Sequence, residues 1–130
     1  MWRNVAAVVF GYVVIAVLIH VTDSAFQAAI PGFRAMSMKP KNYFVISLAT
    51  DTLYCVAGGW ICSLIAKAKT QYPALALILL AELIAFVSAK TLWTVVPHYF
   101  SVAPLILTPL AIWIGSRLGR RTMPIATARV

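Results

Sequence analysis

The sequence predicts an all-α membrane protein, a four-helix bundle that spans the bilayer and forms a single transmembrane domain over residues 1–130. Hydrophobic residues make up 62% of the chain and charged residues only 11%, whereas soluble domains hold about half apolar and about a quarter charged residues. A mean hydropathy of +0.91 agrees with this excess. Four apolar stretches of about 18 to 24 residues follow one another, and each is long enough to cross a bilayer.

The first span is predicted over residues 4–21. Met1–Arg3 in front of it has the composition of an interfacial anchor. A cleaved signal peptide is the alternative, because a short basic start precedes the apolar core Val5–Ile19. Asp23 occupies the −3 position of the expected cleavage site, where a small residue is needed. We therefore interpret this stretch as a helix of the mature bundle.

The second span, residues 43–66, has one small and polar face. Residues that recur every three or four positions form this small-residue face: Ser47, Asp51, Cys55, Gly58 and Cys62. Bulky residues for lipid or large neighbours lie opposite: Phe44, Ile46, Leu53, Trp60, Ile61 and Leu64. Small residues let two helices approach closely. We predict that Cys55, Gly58, Gly59 and Cys62 pack against another helix, with the glycine pair as a contact in an oligomer.

The remaining elements follow in order: an interfacial loop over 23–42, a basic turn over 67–72, a third span over 73–96, an aromatic turn over 97–100, a fourth span over 101–118, and a short basic tail over 119–130. The short 67–72 connection predicts that spans two and three form an antiparallel hairpin. Pro104 and Pro109 should each remove one backbone hydrogen bond and bend the fourth helix.

The distribution of Lys and Arg predicts that both termini are cytoplasmic. Seven basic residues share the side of the termini: Arg3, Lys67, Lys69, Arg117, Arg120, Arg121 and Arg129. Three lie on the other side: Arg34, Lys39 and Lys41. Cytoplasmic loops carry the excess of positive charge. The net charge of +8 is therefore explained by anionic lipid beside the spans, and we expect no nucleic-acid partner.

Three ionisable residues lie within apolar spans, namely Asp51, Glu82 and Lys90. Counted along the predicted spans, Asp51 and Lys90 lie at similar depth, so we predict a contact between them across the hairpin. Glu82 lies deeper and two turns from Lys90, and a carboxyl inside a membrane is a functional-site candidate by default. It could relay protons or bind a cation. The alternative is a structural carboxyl that hydrogen-bonds a neighbouring helix.

No set of residues with the spacing of a catalytic, metal or cofactor site occurs in the sequence. We expect no catalytic residues, no metal and no cofactor. Cys55 and Cys62 are seven positions apart on one helix, too far for a disulfide. The cluster Arg117, Arg120 and Arg121 could bind a lipid headgroup or simply anchor the fourth span.

The order of short motifs resembles that of a group of small bacterial four-helix integral membrane proteins. An Arg-bearing start leads the first span, the stretch 57–62 (AGGWIC) ends the second, and Gly115–Arg120 closes the fourth. The resemblance implies a bacterial inner-membrane location and no activity. Small multidrug transporters have a similar size, but their key glutamate lies in the first span, which has no acidic residue here.

The sequence favours a non-enzymatic structural or accessory membrane component. The alternative is a small ion- or proton-coupled transporter that uses Glu82. The expected partners are the lipid bilayer and, among proteins, a second copy or another membrane protein.

Overall fold

A computed structural model of the chain describes residues 1–29, 41–67 and 71–127, with all of their side chains except those of 41, 42 and 123–127. Four α-helices make up this part of the chain: α1 (Trp2–Ala29), α2 (Lys41–Ala66), α3 (Tyr72–Leu92) and α4 (His98–Thr127). The expected all-α fold class is confirmed. The interfacial loop at 30–40, the basic turn at 68–70 and the chain end lie outside the described residues.

All four helices are long and apolar enough to cross a membrane. Within the described residues these stretches are Trp2–Ala29, Tyr43–Ala66, Tyr72–Leu92 and His98–Thr122. Most of their large apolar side chains point outward, and only a narrow strip of each helix is buried. In soluble proteins large apolar side chains are mostly buried, so this outward distribution is the one expected of helices whose outer surface meets lipid.

Several helix ends differ from the predicted span ends. The predicted aromatic turn at 97–100 lies mostly within α4, which begins at His98. α1 continues to Ala29, since no proline or glycine follows its apolar run before Pro31, and α4 continues to Thr127, past Pro124. α3 instead ends at Leu92, four residues earlier than expected. There the amide groups of Val95 and Val96 both donate to the Leu92 carbonyl, at 2.9 and 3.0 Å. Pro97 has no amide hydrogen and disfavours helical geometry at the residue before it.

The helices lie in the spatial order α1, α2, α4, α3 around the bundle. α2 packs most extensively on α4 and α1 and only lightly on α3, although a short turn joins α2 to α3. Within the described residues α1 and α4 make no direct contact. We call the end that holds the start of α1 and the α2–α3 turn the basic end. The end that holds the α3–α4 turn is called the aromatic end.

α2 meets α1 through two glycines. A Cβ atom at Gly11 would lie 3.0 Å from both the Gly58 carbonyl oxygen and Cys62 Cβ. A Cβ atom at Gly58 would collide with the side chain of Ile15. The two helices can therefore approach this closely only because both positions lack a side chain.

α2 meets α4 in the same way on its other side. A Cβ atom at Gly59 would collide with the carbonyl of Ile112, and one at Gly115 would collide with the carbonyl of Val56. The glycine pair of α2 is thus covered by two helices of the same chain. The expectation that Gly58 and Gly59 join two copies is wrong, since neither is exposed.

Aromatic rings close the aromatic end of the bundle. The Phe44 ring packs edge-on against Tyr43 and Phe100, with centroids 5.5 and 5.0 Å apart. Trp93 stacks on His98 within the α3–α4 turn, at 4.5 Å. Phe44 is buried, at 5% exposure, so of the two surroundings expected for it, lipid or large neighbours, it has large neighbours. The bundle is closed here by side chains from α2 and α4 rather than by lipid.

Candidate functional site

A cavity of about 240 Å³ lies between the four helices, and all four contribute to its wall. Two of its α3 lining residues, Ile84 and Ser88, are exposed, so the cavity is open on that side. Such a space holds several waters, since one water needs only about 10–15 Å³. It is slightly smaller than the pockets of about 300–1,000 Å³ that bind drug-sized molecules. Most of its wall is apolar, but six polar or weakly polar side chains face it: Tyr12, Asp51, Thr52, Cys55, Ser88 and Thr108.

Asp51 is the charged group of this cavity. It lies ten residues into α2, about 15 Å along the helix axis from the start of α2. Ser47, one turn earlier, donates a hydrogen bond to Asp51 Oδ2 at 3.4 Å. Among the described side chains, no Lys or Arg lines the cavity. The carboxylate therefore faces a space that could admit water or a small cation.

A row of polar side chains connects Asp51 with the aromatic end. Tyr43, Ser47 and Asp51 are spaced by one turn on α2, and Ser47 interacts with both of the others. At the outer end of the row the Tyr43 hydroxyl donates to Asp23 Oδ1 of α1 at 3.2 Å. These four residues, which we call the polar row, run over about 12 Å of helix. They provide a continuous set of oxygen atoms from the end of the bundle to the cavity.

The predicted contact between Asp51 and Lys90 is wrong. Lys90 is exposed and lines a groove outside the bundle, between α3 and α4. Two features of the fold separate the pair. α2 and α3 lie diagonally across the bundle, and the early end of α3 leaves Lys90 only two residues from its terminus.

Glu82 is placed at half the length of α3, but it does not line the cavity. Its Oε1 atom is buried and has no hydrogen-bond partner. The side chain is only partly covered as a whole. From the sequence, Asp51 and Glu82 were both candidate functional carboxyl groups within the spans. In the structure Asp51 lines the cavity and Glu82 does not.

The two cysteines occupy different environments. Cys55 lines the cavity, whereas Cys62 has 0% exposure and packs in the core beside Leu77. Both thiols are free. The two thiols can therefore be compared as probes of water access, Cys55 at the cavity and Cys62 in the packed core.

The arginines of α4 lie at the basic end, and their surroundings differ. Arg117 lies over the Trp113 ring, with 4.1 Å from its guanidinium carbon to the ring centroid. Arg121 is also exposed, one turn further along. Arg120 is half-buried and its Nε donates to the Ser116 carbonyl at 3.4 Å. Arg117 and Arg121 are thus more accessible to a headgroup than Arg120.

Sequence reasoning missed most of the cavity wall. Tyr12, Ser88 and Thr108 lie on three different helices, and none of them belongs to a motif. The available signal was a polar residue within each apolar span. That signal could not show which of these residues share a space, because it contains no information about helix rotation.

No group of three or more His, Cys, Asp or Glu side chains in the described part of the chain could hold a metal ion. Comparison of the sequence with protein-family models and curated proteins, and of the fold with solved structures, gave no match.

Proposed function

We propose that the chain is a non-enzymatic integral membrane protein that binds a small cation or a proton at Asp51 and acts as an ion- or proton-coupled transporter. One observation carries the proposal: Asp51 is the charged residue of a cavity bounded by all four helices. A carboxylate placed inside a membrane at a cost of several kcal/mol usually marks an ion or substrate pathway.

The cavity favours a small ligand. Its volume of about 240 Å³ suits a partly hydrated inorganic cation or a compact amine better than a drug-sized molecule. The hydroxyl groups of Thr52, Ser88 and Thr108 are suitable neutral ligands beside one carboxylate. A single negative charge with oxygen donors matches a monovalent cation.

The polar row provides a route for the ion. Hydroxyl groups both donate and accept hydrogen bonds, so Tyr43 and Ser47 can pass a proton between Asp23 and Asp51. On the opposite wall Pro104 lies in α4 without an amide hydrogen. A helix that lacks this hydrogen bond can bend there, which would open or close the cavity.

Two further proposals concern location. The chain lies in a bacterial inner membrane, as its resemblance to small bacterial membrane proteins implies. Both of its termini are cytoplasmic, because seven basic residues favour that orientation over the other side, which has four once Lys90 at the aromatic end is counted. Arg117 and Arg121 would then meet acidic headgroups of the inner leaflet.

A structural or accessory role is the second candidate, and the close packing of α2 favours it. Gly58 and Gly59 fix α2 against α1 and α4 at contacts that allow no side chain. A bundle held so tightly could serve as a rigid membrane component. A structural role does not require the cavity or Asp51, whereas the transporter proposal requires both.

The test is an exchange assay in proteoliposomes with an imposed pH gradient. Na⁺, K⁺ or guanidinium is added outside, and the gradient is followed with a pH-sensitive dye. The transporter proposal expects at least one cation to collapse the gradient. It expects Asp51→Asn to return the signal to that of protein-free liposomes.

Glu82→Gln is the matched control, because it neutralises a carboxyl in a span that does not line the cavity. It should retain exchange. Failure of all three cations with folded protein would reject the transporter proposal and leave the structural one. Exchange that persists in Asp51→Asn would reject the assignment of Asp51.

A further inference from the structure

A second open space lies outside the bundle, in a groove between α3 and α4 next to the turn that joins them. Its volume is about 510 Å³, and it shares no lining residue with the cavity at Asp51. We propose that this outer groove binds one phospholipid with a negatively charged headgroup. The lipid phosphate lies against Lys90 and Ser101, and an acyl chain lies along Phe86 and Leu105.

Lys90 supplies the charge. It is exposed, and it forms no ion pair or hydrogen bond with any other described residue. α3 has 21 residues, a length of about 32 Å that matches the apolar thickness of a bilayer. Lys90 lies two residues, or about 3 Å, from the aromatic end of this helix. Its ammonium group can therefore extend to the level of the lipid phosphates.

Ser101 supplies an unused hydrogen-bond donor. It is only 5% exposed, and its Oγ is buried without a hydrogen-bond partner. A buried hydroxyl that lacks a partner retains the cost of its desolvation. Rotation of the Ser101 side chain about χ1 would bring Oγ to a phosphate oxygen in the groove and remove that cost. Ser101 also belongs to the first turn of α4, where the helix dipole favours negative charge. Two independent features thus select an anion at the same end of the groove.

The rest of the wall selects a lipid rather than a soluble phosphate. Phe86, Val102 and Leu105 present carbon surface along the groove, and Phe86 and Val102 are exposed to the outside. An acyl chain below the phosphate would cover this surface. The Thr94 hydroxyl at the turn can meet the polar part of the headgroup.

Trp93 lines the same groove and reports on its occupant. In a full-length variant that keeps Trp93 alone, with Trp2, Trp60 and Trp113 changed to Phe, fluorescence is quenched by brominated lipid in mixed bilayers. Brominated phosphatidylglycerol is compared with brominated phosphatidylcholine at equal fractions. One lysine near an anionic headgroup predicts a preference of about fivefold for the anionic lipid.

Lys90→Gln should reduce the preference to about one, since it removes the one cationic side chain among the described residues that line the groove. Ser101→Ala should give an intermediate value. Lys67→Gln is the matched control, because Lys67 is an exposed lysine at the basic end, and it should leave the preference unchanged. Equal quenching by both lipids, or a preference that survives Lys90→Gln, would overturn the proposal. Loss of the preference on adding excess soluble glycerol phosphate would also overturn it, since the ligand would then be a free phosphate ester.

Discussion

Ser47 donates a hydrogen bond to the carboxylate of Asp51 across one turn of α2, with 3.4 Å between Oγ and Oδ2. Within the described part of the chain no other side chain hydrogen-bonds this carboxylate. The Ser47 hydroxyl therefore orients the charged group that faces the cavity, and it also joins that group to the rest of the polar row.

Replacing this hydroxyl should weaken cation binding at Asp51. We expect Ser47→Ala to raise the half-saturating cation concentration about threefold, which corresponds to about 0.6 kcal/mol for a hydrogen bond within a membrane protein. The half-saturating concentration is measured from the dependence of exchange on cation concentration in proteoliposomes. Ser63→Ala is the control, because Ser63 donates to the Trp60 carbonyl of its own helix. An unchanged half-saturating concentration in Ser47→Ala would show that the hydroxyl does not act on Asp51.

The two free cysteines test whether water reaches the cavity. In single-cysteine variants, a small positively charged methanethiosulfonate reagent should modify Cys55 faster than Cys62. Cys55 lines the cavity beside Asp51, whereas Cys62 is fully buried in the core. Mass spectrometry of the folded protein in vesicles measures both rates. Equal rates at the two thiols would mean that the cavity is closed to water, and the transport proposal would lose its aqueous route.

The contact between α2 and α4 should not tolerate a methyl group. We expect Gly115→Ala to lower the free energy of unfolding by about 1–3 kcal/mol, because the atoms it would meet belong to the Val56 backbone and cannot rotate away. Unfolding in mixed micelles measures the effect. Ile114→Ala, at the adjacent and exposed position, should change stability by less than about 0.5 kcal/mol. If Gly115→Ala proves as stable as Ile114→Ala, the helices are further apart than described.

Removing the Glu82 carboxyl should stabilise the bundle. Its buried Oε1 has no partner, so Glu82→Leu should raise the free energy of unfolding by about 1–3 kcal/mol. Glu82→Gln keeps a polar group at the position and should gain less. The same unfolding assay compares the two variants. If Glu82→Leu is less stable than the original protein and Glu82→Gln loses exchange, the functional carboxyl would be Glu82.

The apolar composition and the length of the four stretches predict four long helices, and the structure confirms this because it depends only on local residues. The ends of the helices are less predictable. α1 and α4 extend beyond their apolar runs to Ala29 and Thr127, since a change in polarity marks the expected edge of the membrane rather than the end of a helix. The end of α3 depends on Pro97, whose effect reaches several residues back along the chain.

The pairing of charged residues could not be predicted from spacing. The hairpin argument assumed that helices joined by a short turn are the closest neighbours, whereas α2 packs mainly on α4 and α1. Five of the six glycines lie at helix contacts, and the side on which each one faces decides the order of the helices. Asp51 is consequently directed into the cavity and Lys90 into the outer groove.

The sequence by itself determined the fold class, an all-α protein with four helices long and apolar enough to cross a membrane. Hydrophobic content and the lengths of apolar runs are local properties of the chain, so they can be read without knowing which helices pack together. The sequence also identified Asp51, Glu82 and Lys90 as unusual, since a charge in an apolar span is costly wherever the helix lies. Only the tertiary structure decided which of these groups share a space. Helix rotation and order follow from contacts between residues far apart in the chain, such as Gly115 with Val56, and no local pattern records them.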